Sequence, residues 1–156
     1  MVGYHTSDVT RITGVNRNTL QVWIDCKFIT PGVQEAAGSG SKNVFTTEDL
    51  HRIVLFKNLT DWGFARKEAA KYINAEGINA CLEGVDSEVE DGSTKPYFIG
   101  FRRLVSGQET VEAIFLQDED DVGQLYSHLA EADYGVIVNI SKIVREVRAE
   151  MATVGD

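Results

Sequence analysis

Apolar positions recur at two spacings along the chain, and the change falls near its middle. Up to about residue 73 they follow the three- and four-residue step of a helix buried on one side. Val9 and Ile12 predict a helix over Ser7–Thr13, stopped by Gly14. Leu20, Trp23 and Ile24 predict a second over about Arg17–Asp25. Asn16 is placed to cap it, because an Asn side chain accepts from the free amides of a first turn. Leu50, Ile53, Val54 and Leu59, with Phe56 on the flank, predict a third helix ending at Gly63. Thr46 and Asp49 form a capping box at its start, and Phe45 is set to staple onto Leu50. A fourth helix begins near Ala65, carries Ala69, Tyr72 and Ile73, and is read as continuing through Ile78–Leu82.

Residues 30–45 break the helical step. Pro31-Gly32 makes a turn, Ala37–Asn43 a loop tip, and Val44-Phe45 a returning strand, so a hairpin with a mobile basic tip is expected. Beyond residue 96 the step alternates. Tyr97–Leu104 and Thr110–Leu116 predict two strands joined around Ser106-Gly107. Asp118 caps a helix over about Glu119–Glu131 with Val122, Leu125 and Leu129 inward. Tyr134–Ile140 is a strand, and Ser141 caps a last helix, Lys142–Met151. Asp86–Pro96 is acidic, rich in small residues and closed by proline, which reads as a linker. The expected class is α+β. Residues 1–85 form a mostly helical head, 86–96 a linker, and 97–156 a small β-β-α-β-α unit.

Composition excludes some classes. With 43 % apolar and 25 % charged residues the chain is a folded one. It has no apolar run of membrane-spanning length, and its first residues lack the regions of a signal peptide, so a soluble cytoplasmic protein without a membrane partner is expected. Cys26 and Cys81 are far apart, and neither they nor the three histidines have metal-ligand spacing. The net charge of −9 argues against a nucleic-acid partner until it is split: residues 1–72 carry +2 and residues 73–156 carry −11.

No catalytic motif is present: no nucleophile elbow, no phosphate-binding glycine loop, no H-E-x-x-H. The chain is read as a non-enzyme with no cofactor and no metal. Asp118–Asp121 complements a helix dipole better than it suits a cation. Tyr97, Phe98, Phe101 and Arg102-Arg103 suit a buried sheet better than an RNA-stacking face.

The head carries the functional pattern. Helix, glycine turn, second helix and basic-tipped hairpin make a winged helix-turn-helix. Its second helix presents Asn16, Arg17, Asn18, Thr19 and Gln21 near its N-terminus. Asn and Gln pair with adenine, and Arg with guanine or phosphate. Lys42 and Asn43 at the wing tip are placed to meet a phosphate or the minor groove.

Tyr4–Val9, Thr13-Gly14-Val15, Thr19-Leu20, Ile29-Thr30-Pro31, Phe45–Leu50 and Leu59–Phe64 together resemble the MerR-type DNA-binding domain over about residues 4–73. The resemblance implies a dimeric transcriptional regulator. It departs from the family pattern where Gln21–Ile24 replaces an Arg-Tyr-Tyr-Glu-like run, where Ser41-Lys42-Asn43 replaces Gly-Tyr-Arg, and where no long heptad helix follows residue 73.

The sequence therefore points to a sequence-specific DNA-binding transcriptional regulator binding double-stranded DNA as a homodimer. The C-terminal unit serves dimerisation or an unknown effector. Ile143, Val147 and Met151, at i, i+4 and i+8 of the last helix, are the first candidate for the dimer contact and the outer strand of the C-terminal sheet is the second, the alternative being that the stripe packs on the chain's own sheet. Two other readings stay open: a phage-type DNA-architectural or recognition adaptor, excisionase-like or small terminase-like, and a protein-interaction module.

Overall fold

The computed structural model describes residues 2–104, 109–118, 120–130 and 134–154. Its elements in chain order are β1 (Tyr4–His5), α1 (Thr6–Thr13), α2 (Arg17–Asp25), β2 (Val44–Phe45), α3 (Thr47–Asp61), α4 (Arg66–Ile73), α5 (Ile78–Glu90), β3 (Phe98–Leu104), β4 (Thr110–Leu116), α6 (Asp120–Ala130), β5 (Tyr134–Asn139) and α7 (Ile140–Val154). The chain is thus mixed helix and strand. It divides into two units, Met1–Ala70 with Glu146–Asp156, and Lys71–Arg145.

In the first unit, local chemistry sets the helix ends. Gly14 leaves α1 in the left-handed conformation at φ +68°, where its N–H still reaches the Thr10 carbonyl at 3.1 Å. Asn16 caps α2 by accepting from the Thr19 N–H at 2.8 Å. Thr46 and Asp49 exchange side-chain and backbone bonds at the start of α3. The core beneath is apolar and aromatic. Trp23 meets Phe56 edge-on at 4.7 Å, Phe28 stacks on the same ring at 5.7 Å, and Leu20, Phe45, Leu50, Ile53 and Leu59 are fully buried.

The wing differs from a plain hairpin. Val44 pairs with His5 of β1, and on the other arm it forms an isolated bridge with Gln34 and accepts the Val33 N–H at 3.1 Å. Side chains hold the rest: Ala36 donates to the Asn43 Oδ1 at 2.8 Å, and Ala37 to the Ser41 hydroxyl at 2.6 Å.

In the second unit β3 is the middle strand of a three-stranded antiparallel sheet in the order β4-β3-β5. Cross-strand partners share a face. One face carries Ile99, Phe115 and Val138, then Phe101, Ala113 and Val136. Tyr72 covers Phe101 with ring centroids 5.2 Å apart, and Gly84 of α5 lies so close to Phe115 that a Cβ there would meet the ring at 3.1 Å. The other face carries Phe98, Gly100, Ile114, Leu116 and Ile137. Leu125 of α6 comes down over Gly100, where a Cβ would stand 2.8 Å from its Cδ1.

Several expectations are corrected. The fourth helix does not continue through Ile78–Leu82. Gly77, at φ +82°, separates α4 from α5, and Glu76 bonds through its backbone to Val111 and Ala113 on the β4 edge. Residues 86–90, read as the start of a linker, are the last turns of α5, because Val85 prolongs its buried face into the acidic stretch. The two compact units divide the chain between Ala70 and Lys71, and the end of α7 belongs with the N-terminal unit. Ser141 is no cap. It lies buried inside α7, donating to the Asn139 Oδ1 at 2.7 Å. The Ser106-Gly107 turn, Glu119 and the Val122 and Leu129 side chains lie outside the described residues.

Candidate nucleic-acid interface

The α2 stripe predicted to be apolar is buried: Leu20 is fully covered and Trp23 is 5 % exposed. Helical geometry then turns Arg17, Asn18 and Gln21 outward, and all three are exposed. Asn16 is exposed but its oxygen is committed to the Thr19 amide, so it acts first as a cap. Thr19 is half-buried.

A cleft of about 530 Å³ brings α2 and the wing together. Arg17 and Gln21 line one wall, Ser41 and Lys42 another, and His5, Thr6, Ser7 and Thr10 at the start of α1 a third. Gln21 is not idle here. Its Nε2 donates to the Asp25 Oδ1 at 2.8 Å, one helical turn on. Lys27, just past the end of the same helix, pairs with Glu35 of the wing at 3.3 Å, an exposed bridge that adds little stability. Lys42 is exposed at the tip. Asn43 is placed otherwise than expected. It is 9 % exposed, and its side-chain oxygen serves the wing's own backbone.

A second cleft flanks the N-terminal end of α2 on its other side. Gly14, Asn16, Thr19, Trp23, Lys57, Asp61 and Arg66 are among the residues that line it. The exposed polar end of α2 therefore lies between two clefts, each holding cations: Arg17 and Lys42 in one, Lys57 and Arg66 in the other. Guanidinium forks suit phosphate or guanine, ammonium groups suit phosphate, and the amide side chains suit base edges.

Residues 4–76 match the family described as MerR HTH family regulatory protein. The N-terminal region is of the MerR type. The chain is also 29 % identical over 65 residues to uncharacterized HTH-type transcriptional regulators of Mycobacterium bovis and of Mycobacterium tuberculosis. That stretch is 42 % of this chain and 29 % of each relative, so the chain covers less than a third of the length of the curated relatives it matches.

Within the MerR-type region, Lys57, Arg66 and the α1 start were not singled out from the sequence. Lys57 sits among the α3 core residues in the helical pattern, and only the fold brings it beside α2. The candidate dimer stripe lies mostly inside its own chain. Ile143 and Val147 are 2 % and 1 % exposed, and Met151 is half-buried. Val147 lines a cleft with Ile12 of α1 and Val54 of α3, and Arg11 reaches the Val154 carbonyl at 3.4 Å. Of the three, Met151 alone keeps exposed surface. The aromatic strand face is likewise closed to RNA: Tyr97 and Phe101 are buried, Arg102 bonds Glu112, and Arg103 bonds Glu109.

Among the described residues no group of three or more His, Cys, Asp or Glu is placed to hold a metal ion. Among them, no helix is long and apolar enough to cross a membrane.

Proposed function

We propose that this protein is a sequence-specific DNA-binding transcriptional regulator whose MerR-type region docks on double-stranded DNA. The observation that carries the reading is the cleft joining Arg17 and Gln21 of α2 to Lys42 of the wing. One face thus offers groups for base edges beside groups for phosphate. On this reading Arg17, Asn18 and Gln21 meet the major groove, Lys42 meets the phosphate backbone next to it, and Lys57 and Arg66 hold phosphates on the far side of α2. Asn16 and Asn43 keep the helix start and the wing in shape.

The protein acts as a homodimer, since residues 1–72 carry a net charge of only +2 and gain from a second, linked copy. The second unit, with its β-β-α-β run and the start of α7, supplies the assembly contact or an effector site.

Selection of bound sequences from a random duplex library at physiological salt tests this. The expected product is a palindrome with half-sites about one helical turn apart, ~34 Å. Enrichment of no sequence would overturn the reading. A consensus that leaves transcription unchanged in a reporter would favour the architectural adaptor instead.

A further inference from the structure

β5 closes one side of the three-stranded sheet, and among the described residues no strand pairs with its outer side. An antiparallel edge strand directs alternate N–H and C=O groups outward, a template for another strand. Edges meant to stay free are blunted by charge, proline or a bulge. β5 has none of these. Its six residues, Tyr134-Gly135-Val136-Ile137-Val138-Asn139, are all uncharged, and its register with β3 runs unbroken from Phe98 opposite Asn139 to Arg103 opposite Tyr134. The other two strands do carry charge, Arg102 and Arg103 on β3 and Glu112 on β4.

The face beside this edge is also incomplete. Ile137 is 53 % exposed. With Phe98, Leu116 and Leu125 it lines an apolar groove of about 590 Å³. The apolar surface therefore runs out to the open strand.

We propose that β5 pairs antiparallel with β5 of a second copy, joining two sheets into one of six strands across a two-fold axis. Charge argues for a second copy as the occupant. A two-fold axis sets the strand against itself, so any charged residue near the axis would meet its like. A wholly uncharged strand satisfies that demand in every register. The chain's charge of −9 makes two copies repel, and a neutral strand is where contact costs least. The pairing rests on the DNA-binding reading for its purpose, which is to supply the second head, and not for its geometry.

Sedimentation equilibrium of the full chain tests the proposal with two substitutions of equal charge. Ile137→Lys puts a cation on the edge at an exposed position. Tyr126→Lys puts the same charge on α6, where Tyr126 is 79 % exposed. The wild type and Tyr126→Lys are expected to dimerise. Ile137→Lys is expected to raise the dissociation constant by about 100-fold, because each dimer loses two apolar contacts and gains two like charges. A monomeric wild type at micromolar concentration overturns the proposal. So does an Ile137→Lys chain that still dimerises, or a Tyr126→Lys chain that dissociates as well. Amide exchange in the wild type gives a reading that needs no variant: slowing in Tyr134–Asn139 that grows with protein concentration supports the pairing, and concentration-independent exchange there refutes it. A dimer that passes these tests yet selects no DNA sequence would sink the DNA-binding reading alone.

Discussion

The buried Asp49 carboxylate accepts the backbone N–H of Gly32 at 2.7 Å, so the first turn of α3 holds the start of the wing. The same oxygen accepts from Thr46 at 2.8 Å, and the other pairs with Arg52. One side chain thus caps a helix, anchors a loop 17 residues away and answers a guanidinium. Asp49→Ala removes all three functions. The cap alone is worth about 1 kcal/mol, and the Gly32 amide loses a charged acceptor, for a total of about 2–3 kcal/mol. Gly32→Ala attacks the contact from the other side. Its Cβ would stand 2.9 Å from Asp49 Oδ2 and 3.0 Å from Thr46 Cγ2, so a loss of about 1–3 kcal/mol is expected. Urea unfolding of both variants measures these losses. A wing anchored by Asp49 predicts that DNA affinity falls in both, in excess of any unfolded fraction.

The helices of the first unit were legible because their signals are local. Gly14, Asn16 and the Thr46–Asp49 box act within four residues of where they stand, and the Leu20, Trp23, Ile24 stripe has one period. What escaped was of two kinds. Asp49 reaching Gly32, and Val147 covered beside Ile12 and Val54, are pairings that no local pattern encodes. The end of α5 was missed for another reason. Charge and small residues over 86–90 outweighed a helical step that Ile78, Cys81, Leu82 and Val85 had already established. The candidate base-reading residues were legible as an exposed face, because burying Trp23 and Leu20 fixes which way Arg17, Asn18 and Gln21 point. Asn43 was misread because an exposed tip and a polar residue look alike in sequence, whereas its oxygen was needed by Ala36.

The bond between Gln21 and Asp25 sets a competition on the helix proposed to face DNA. To read a base, Gln21 must exchange the Asp25 carboxylate for a base edge. Gln21→Ala is expected to relax sequence preference by about 1–3 kcal/mol at one position of each half-site. Asp25→Ala frees Gln21 and removes a negative charge from the same face, so it should tighten binding to all duplexes. Trp23→Ala, on the same helix but packed on Phe56, should cost about 3–5 kcal/mol of stability and leave the preferred sequence unchanged in the folded fraction. Selection experiments on the three variants separate these outcomes. An Asp25→Ala chain that bound more weakly would show that the carboxylate positions Gln21 productively.

Lys42 and Asn43 are neighbours at the wing with opposite placements, one exposed and one buried. Lys42→Ala should weaken all duplexes about equally. It should also lower the slope of log affinity against log salt by roughly 0.9 per lost contact, twice that in a dimer. Asn43→Ala removes the acceptor that holds Ala36 and should loosen the whole wing. Its salt slope should then fall together with its specificity and its melting temperature, while Lys42→Ala leaves the melting temperature unchanged. Binding isotherms at several salt concentrations, with thermal unfolding beside them, check both. A change of preferred sequence in Lys42→Ala at constant slope would place the tip on bases.

The two thiols differ by environment. Cys26 is exposed at the end of α2, and Cys81 is buried in α5. Burial pushes the Cys81 thiol above the usual range, since a thiolate there would lose its solvation. Iodoacetamide at mild alkaline pH should therefore add one group per chain, on Cys26, and reach Cys81 only at the rate at which α5 opens. The sign of the pH effect follows. Below about pH 8.5 both folded and unfolded chains keep the Cys81 proton, and its contribution to stability is complete. As pH rises further the unfolded chain releases that proton first, so stability falls until the folded thiol also ionises. Cys81→Ala should flatten this alkaline decline, which unfolding curves taken from neutral pH upward would reveal. A decline unchanged in Cys81→Ala would assign it to other groups, and equal alkylation of both cysteines in the native protein would mean that the α5 face opens freely.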